Sequence, residues 1–339
     1  MDRVLITGAN GFIGSNLCAY FLERSYEVYG LVRESSDLHF LEGVPVRLVK
    51  GDLANAGGVD LPPSIDYVIH AASLVIDDAP MARARQNIFE ATVNLVQTLQ
   101  KNQPAIRRFI YISTGLVLGH RSLNISEENR GLPAVGNLSY ARAKEMTEEF
   151  LLDRHREQGL PVVILRPTDV FGPNDRTSSL RILDSIESGW PTLAGTGNKI
   201  LSFCYVGNLA KACHLACLMR GRNGRAYTVT NGQDVTWRQL MGFFQIRLGR
   251  PQRIFVPVVA AYAIALFMQA LHALVPSFEA LLTWYRVSKV GRSTSYDISK
   301  TIEELGYQPD QDLQRQLESI VEWYTREKAS GYVNKLRGR

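Results

Sequence analysis

Tyr140 and Lys144 stand four residues apart in Tyr140-Ala141-Arg142-Ala143-Lys144, a spacing that puts both on one face of a helix. A phenol with an ordinary pKa near ~10 is a poor base at neutral pH, and an ammonium beside it stabilises phenolate. The pair therefore suits proton transfer to or from a substrate oxygen. Tyrosine and lysine at this spacing are common in helices, so a third group is needed to single them out. Thr114, in Tyr111-Ile112-Ser113-Thr114-Gly115-Leu116, lies 26 residues upstream at the end of a predicted strand. Its hydroxyl is both donor and acceptor, and can hold the oxygen on which the phenol acts.

A second motif supplies a phosphate cradle. Gly8-Ala9-Asn10-Gly11-Phe12-Ile13-Gly14 follows the apolar run Arg3–Thr7 and opens a helix. In that context Gly8 permits a tight turn, Gly11 admits a pyrophosphate against the backbone, and Gly14 allows close helix–strand packing. Phe12, Ile13 and Gly14 begin a helix whose N-terminus favours the phosphate charge. Nineteen residues beyond Gly14 the second predicted strand ends in Arg33, followed by Ser35 and Ser36. An acidic residue there would bind the ribose hydroxyls of NAD, whereas an arginine suits a 2′-phosphate, so the expected cofactor is NADP(H), with NAD(H) as the alternative. Asp52 and Leu53 follow the third predicted strand, Asp52 being placed to meet the adenine amino group. His70-Ala71-Ala72-Ser73 ends the fourth, where Ala71 and Ala72 are small enough for a cofactor to pass and His70 reads as structural.

These residues need a scaffold, and the first two-thirds of the chain provides its pattern. Short Val/Ile-rich runs at Arg3–Thr7, Glu27–Val32, Val46–Lys50, Tyr67–Ala71, Arg108–Ser113 and Val162–Arg166 alternate with helical stretches at Gly14–Arg24, Met81–Asn102 and Ser139–Gln158. Each run is suited to burial on both faces, as in a parallel sheet. The expected fold is α/β, a Rossmann-type doubly wound parallel sheet with a smaller, mostly helical C-terminal substrate-binding region. The cofactor domain takes 1–172 and 202–232, and the substrate region 173–201 and 233–339. Irregular substrate loops are expected after Pro173, then a strand at Ser202–Val206, a helix from Asn208 to about Arg220, a strand near Ala226–Thr230, and helices at Thr236–Leu248 and Leu313–Lys328.

The 339 residues, 45% hydrophobic and 21% charged, exclude a disordered chain, and Gly 27 with Pro 14 excludes a collagen-like one. A net charge of +5 reads as ordinary surface charge. The basic groups Arg107-Arg108 and Arg220 to Arg225 are short and fall at expected loops, so nucleic acid is not an expected partner. Cys18, Cys204, Cys213 and Cys217 form no zinc-type pair, and Cys213-His214 with Cys217 reads as buried helix. No metal is expected, and a cytoplasmic location is, since a nucleotide-binding strand begins at once. The stretch 254–278 carries no formal charge. Three readings fit: a spanning helix, opposed by Pro257, Pro276, Gln269 and His272; a helix lying on a membrane near Arg247, Arg250 and Arg253; or a buried, substrate-lining helix.

Taken together, these motifs resemble the extended short-chain dehydrogenase/reductase superfamily over nearly the whole chain. Its landmarks are Gly8/Gly11/Gly14, Asp52-Leu53, His70-Ala71-Ala72, Thr114 before Gly119, Tyr140 with Lys144, and Arg166-Pro167 leading to Phe171-Gly172-Pro173. The resemblance implies that Thr114 binds the substrate oxygen, Tyr140 transfers its proton, and Lys144 supports Tyr140 and the cofactor. Pro167 and Val170 would lie near the nicotinamide, and a homodimer would form through helices that include the one bearing Tyr140. The family often has an asparagine relay at the position that falls on Ile88 here, with Asn87 one residue away.

Within the superfamily, Tyr205-Val206-Gly207-Asn208 is similar to the segment found in 3β-hydroxysteroid dehydrogenases and sterol C4-decarboxylating dehydrogenases. The positions Leu201-Ser202 lack the Arg-Asp pair with which nucleotide-sugar enzymes hold a pyrophosphate. The expected function is an NAD(P)-dependent interconversion of a secondary alcohol and a ketone on an apolar substrate, steroid-like or a 3-hydroxy/3-keto lipid, with C4 decarboxylation as a possible sequel. The alternatives are a nucleotide-sugar epimerase, dehydratase or reductase, and an NADP-binding scaffold without turnover.

Overall fold

The computed structural model describes residues 1–55, 59–74, 79–102, 105–133, 138–189, 195–250, 256–275 and 282–337. Its strands are β1 (Arg3–Thr7), β2 (Glu27–Val32), β3 (Arg47–Lys50), β4 (Tyr67–His70), β5 (Arg108–Ile112), β6 (Val162–Pro167), β7 (Asp169–Phe171), β8 (Ile200–Leu201), β9 (Phe203–Tyr205), β10 (Arg225–Val229) and β11 (Val235–Thr236). Seven of them form one parallel sheet in the order β3-β2-β1-β4-β5-β6-β10. The order reverses between β1 and β4, whose ends Thr7 and His70 are register partners. Beyond the carboxyl ends of these strands lies the switch point at which doubly wound sheets bind their ligands.

Helices cover both sheet faces. Phe12–Leu22 and Val206–Leu218 bury Leu17, Phe21, Leu209 and Cys213 against Val4, Ile6, Ile69 and Ile110. Ala91–Asn102 and Leu138–Gln158 pack Leu95, Leu99 and Leu151 on Leu5, Val68, Phe109 and Ile164 on the other side. A third core holds Phe171, Leu183, Leu201, Trp237, Phe244, Ile320 and Trp323, and lies among the helices Ser178–Glu187, Trp237–Arg247 and Leu313–Ala329.

Three expectations are corrected. The run ending at Lys50 is not buried on both faces: β3 is the edge strand, paired only with β2, and Arg47, Leu48 and Lys50 are exposed. Long cationic side chains on an edge discourage pairing with other strands. The stretch after Pro173 is not wholly irregular, because Ser178–Glu187 is a helix. The Asp175 carboxylate starts it by accepting from the amides of Thr177, Ser178 and Ser179, and Leu180, Leu183 and Ile186 are buried. Arg108 is not in a basic surface loop: it opens β5, is buried, and donates to the carbonyls of Met219 and Gly221 and to the Asn223 side chain. It thereby ties down the turn around Arg222.

All four cysteines are buried free thiols, and burial pushes Cys18 up to about 12. His214 packs edge-on against Phe21 and Tyr26, and no metal-holding group of side chains occurs among the described residues. Within 254–278 the helix is Val258–Leu274. Among the described residues no helix is long and apolar enough to cross a membrane. Pro276 lies outside the described residues.

Candidate active site

The glycine turn has the shape the sequence demands. Gly8 sits at φ +66°, and a Cβ on it would lie 2.9 Å from the Ala72 Cα. A Cβ on Gly14 would fall 2.1 Å from the Gly8 carbonyl oxygen. Gly11 caps the helix Phe12–Leu22 without any side-chain acceptor, so the first-turn amides, those of Phe12, Ile13 and Gly14, are left without a side-chain cap. Residues of this shape fit a dinucleotide pyrophosphate. Arg33 is exposed at the end of β2, its amide donating to the Ser36 hydroxyl. One Asp52 oxygen accepts from the Ala54 amide, and buried Leu53 offers its carbonyl to Asn94.

His70 is structural, as expected. The Ala72 amide donates to the Thr7 hydroxyl and the Thr92 hydroxyl donates to the Ile88 carbonyl. Thr7 must then donate to Nδ1 of His70 (2.7 Å), and Nε2–H to Thr92 (2.9 Å), which assigns the tautomer. Burial, with help from the Lys144 charge, lowers this imidazole to about 3, so it stays neutral. The chain His70-Thr7-Ala72 fixes the small residues beside Gly8.

Thr114 ends the segment after β5 in extended conformation and is buried. Its oxygen accepts from the Leu116 amide at 3.3 Å, which leaves the hydroxyl proton to donate to a substrate oxygen. Tyr140 and Lys144 share the face of helix Leu138–Gln158 that turns toward β5. The Lys144 Nζ donates to the Ile112 carbonyl at 2.6 Å and lies 5.9 Å from the centre of the Tyr140 ring. Burial drives the lysine from its ordinary range down to about 7, against the pull of the Glu148 carboxylate one turn along. Burial likewise raises the Tyr140 phenol, with Tyr285 adding to the effect and Ser73 opposing it. The chain alone thus keeps a proton on Tyr140. Pro167 ends β6, buried, and Val170 sits in β7 against the core beneath it. Ile88, not Asn87, packs against Ala143 and Tyr140, while Asn87 donates to the Arg83 carbonyl. The relay position is therefore filled by an apolar side chain.

A cleft begins at Thr114 and Leu116 and runs along Leu201, Ser202, Tyr285 and Tyr296. Its far wall carries an ion pair, Lys289 to Asp169 at 2.6 Å, and His120. Nδ1 of His120 faces the Leu132 carbonyl at 3.1 Å, while its buried Nε2 finds no partner among the described residues. Tyr140 is outside this lining, and Tyr285, which belongs to it, acts on the phenol electrostatically.

The reading of the sequence noted Tyr296 only for its resemblance and missed His120, Asp169, Tyr285 and Lys289, which come from a loop, the short strand β7 and a late helix. Glu148 was legible as the next residue on the Tyr140–Lys144 face. It is buried, accepts from Ser113, and takes a two-pronged contact from Arg166, which also reaches Glu127 at 2.9 Å. Glu148→Gln leaves the Arg166 charge without its buried partner and is expected to cost roughly 3 kcal/mol in urea unfolding. Removing that carboxylate also withdraws the influence that holds Lys144 up, so any lysine-dependent limb of the pH–rate profile moves to lower pH.

A doubly wound sheet, a glycine cradle at its switch point and a Thr/Tyr/Lys set define an oxidoreductase-type dinucleotide enzyme. A family model described as the NAD dependent epimerase/dehydratase family matches residues 4–230, and the chain belongs to that family, within the extended short-chain dehydrogenase/reductase superfamily. The chain is 28% identical over 340 residues to a 3-beta-hydroxysteroid dehydrogenase of Mycolicibacterium neoaurum, covering 96% of this chain and 92% of that protein. It is also 28% identical over 352 residues to a 2-alkyl-3-oxoalkanoate reductase of Shewanella oneidensis, covering 97% and 86%. A UDP-glucuronic acid 4-epimerase of Bacillus cereus, solved with UDP-glucuronic acid and NAD, shares the fold with a TM-score of 0.75 at 20% identity, covering 96% of this chain and 99% of that one. Dependence on NAD(P) follows from the family.

Proposed function

We propose that this enzyme interconverts a secondary alcohol and a ketone on an apolar substrate, a 3β-hydroxysteroid or a 3-hydroxy/3-oxo lipid. The observation that carries the reading is the cleft itself: it starts at Thr114 and passes Leu201 and Ser202, where nucleotide-sugar relatives carry an Arg-Asp pair. The two sequence relatives named for 3-hydroxy and 3-oxo compounds support the same class. The bound nicotinamide supplies the hydride acceptor or donor. Thr114 donates to the substrate oxygen and fixes it. Tyr140 takes the hydroxyl proton in oxidation and returns it to the ketone oxygen in reduction, and the Lys144 ammonium stabilises the phenolate between the two.

Mass spectrometry of products from a panel of 3β-hydroxysteroids, 3-hydroxy lipids and their ketones tests this reading. Loss or gain of two hydrogens, one on the carbinol carbon and one on its oxygen, is expected, and an unchanged panel would rule the reading out. A nucleotide sugar is the second reading, supported by the epimerase/dehydratase family to which the chain belongs, and saturable binding of one would turn the assignment to it. Arg33 is the proposed selector of NADP(H). Arg33→Ala should lower kcat/KM for the phosphorylated cofactor by about 10- to 100-fold and leave NAD(H) nearly unchanged, as loss of a charge-assisted contact requires. Equal effects on both would remove Arg33 from that role.

A further inference from the structure

The helix Val258–Leu274 has 17 residues, none with a formal charge apart from its His272 if protonated. At 1.5 Å per residue it is about 25 Å long, short of the ~30 Å of hydrocarbon that a spanning segment must cross. One side is anchored: Ala261 and Ala265 are buried against Val287, the Tyr262 ring lies tilted against Trp284 with centroids 4.4 Å apart, and Gln269 accepts from the Trp284 amide. The opposite side carries Val259, Ile264, Leu266, Phe267 and Leu274 into solvent, with Val259 82%, Phe267 70% and Leu274 81% exposed. A contiguous apolar stripe of this kind is costly in water unless something covers it.

The charge around the stripe indicates what covers it. Between Val235 and Tyr296 the chain has seven basic residues, Arg238, Arg247, Arg250, Arg253, Arg286, Lys289 and Arg292, against a single carboxylate, Glu279. The chain's whole positive excess of +5 is therefore concentrated in the segment that contains the apolar helix. Some of these cations are engaged within the fold, Arg247 with Glu318 and Lys289 with Asp169. Arg250 and Arg292 are exposed and have no carboxylate partner among the described residues. Apolar side chains on one helix face, an aromatic pair beneath it and cations flanking it along the chain are the composition of a helix that lies in the plane of an anionic lipid surface.

We infer that the 258–274 helix docks this enzyme on anionic lipid, its exposed face entering the headgroup boundary. The helix packs on Trp284–Gly291, which supplies Tyr285 and Lys289 to the cleft beside Thr114. Docking would thus bring the cleft wall to the lipid surface, whatever compound the cleft turns over.

Flotation of the full chain with vesicles tests the inference, using phosphatidylcholine alone and phosphatidylcholine mixed with phosphatidylglycerol. The protein should float with the mixed vesicles, weakly with the neutral ones, and less at high salt. Phe267→Glu places a charge in the apolar face and should lower the bound fraction on the order of tenfold, with far-ultraviolet circular dichroism unchanged. Should that variant misfold, the double variant Arg250→Glu, Arg292→Glu carries the same test, since it should lose the preference for phosphatidylglycerol. Parent protein that stays unbound with both vesicles, or variants that float like the parent, would overturn the proposal. A Phe267→Glu variant that dissociates in gel filtration, with no flotation of the parent, would instead assign this face to a second copy of the chain.

Discussion

Tyr140→Phe lowers turnover by about 10²- to 10⁴-fold, the range expected for removing a positioned general acid or base. The ring keeps its packing against Ala84, Ile88 and Ala143, so thermal unfolding shifts little. Cofactor affinity changes far less than turnover, because the glycine cradle and the Phe12–Leu22 helix terminus are untouched. The pair of readouts separates chemistry from folding: calorimetry gives Tm and a fluorescence titration gives the Kd for reduced cofactor. A variant with parental turnover would remove the phenol from the reaction. One that fails to bind cofactor would mean that Tyr140 acts chiefly as a contact.

The second large effect concerns Lys144, whose burial is a liability for folding and an asset for function. Its pKa is lowered from 10.5 in the open chain to about 7 in the fold. The unfolded chain therefore holds the proton more tightly between those values, and stability rises with pH across that window. Below about pH 7 both states are protonated, and the full burial cost is present. Lys144→Met removes that cost and loses the hydrogen bond to the Ile112 carbonyl, a smaller term of about 1–3 kcal/mol. The variant should melt higher than the parent near neutrality, with the gap closing toward pH 10, while turnover falls at least as far as in Tyr140→Phe. A Tm below the parent's at neutral pH would show that the ammonium is stabilised by more than Glu148.

Most of the scaffold was legible because it rests on local regularities. β1 and β2 fall on the predicted residues, since their apolar runs are bounded by turn residues, and the helix Leu138–Gln158 differs by one residue at its start. β3 misled because an edge strand and a central strand of four residues look alike in sequence, and only pairing on one side distinguishes them. The helix Ser178–Glu187 was legible in the helical spacing of Leu180, Leu183 and Ile186 and was passed over; its start is made by Asp175 through three amides. Thr114, Tyr140 and Lys144 could be paired in advance by strand-end and helix spacing. His120, Tyr285 and the Lys289–Asp169 pair could not, because they meet only when residues more than a hundred positions apart close over the cleft.

The central claim is that hydride leaves or reaches one carbinol carbon while Tyr140 handles the proton. Deuterium at that carbon tests it most directly. The parent enzyme is incubated with oxidised NADP and a panel of deuterated 3β-hydroxysteroids and 3-hydroxy lipids, and the reduced nicotinamide is then examined by mass spectrometry. The account predicts deuterium on the nicotinamide ring with the parent and a loss of about 10²-fold or more in its rate of appearance with Tyr140→Phe. Turnover of a panel member with no deuterium transfer, or transfer at an equal rate in the variant, would contradict it.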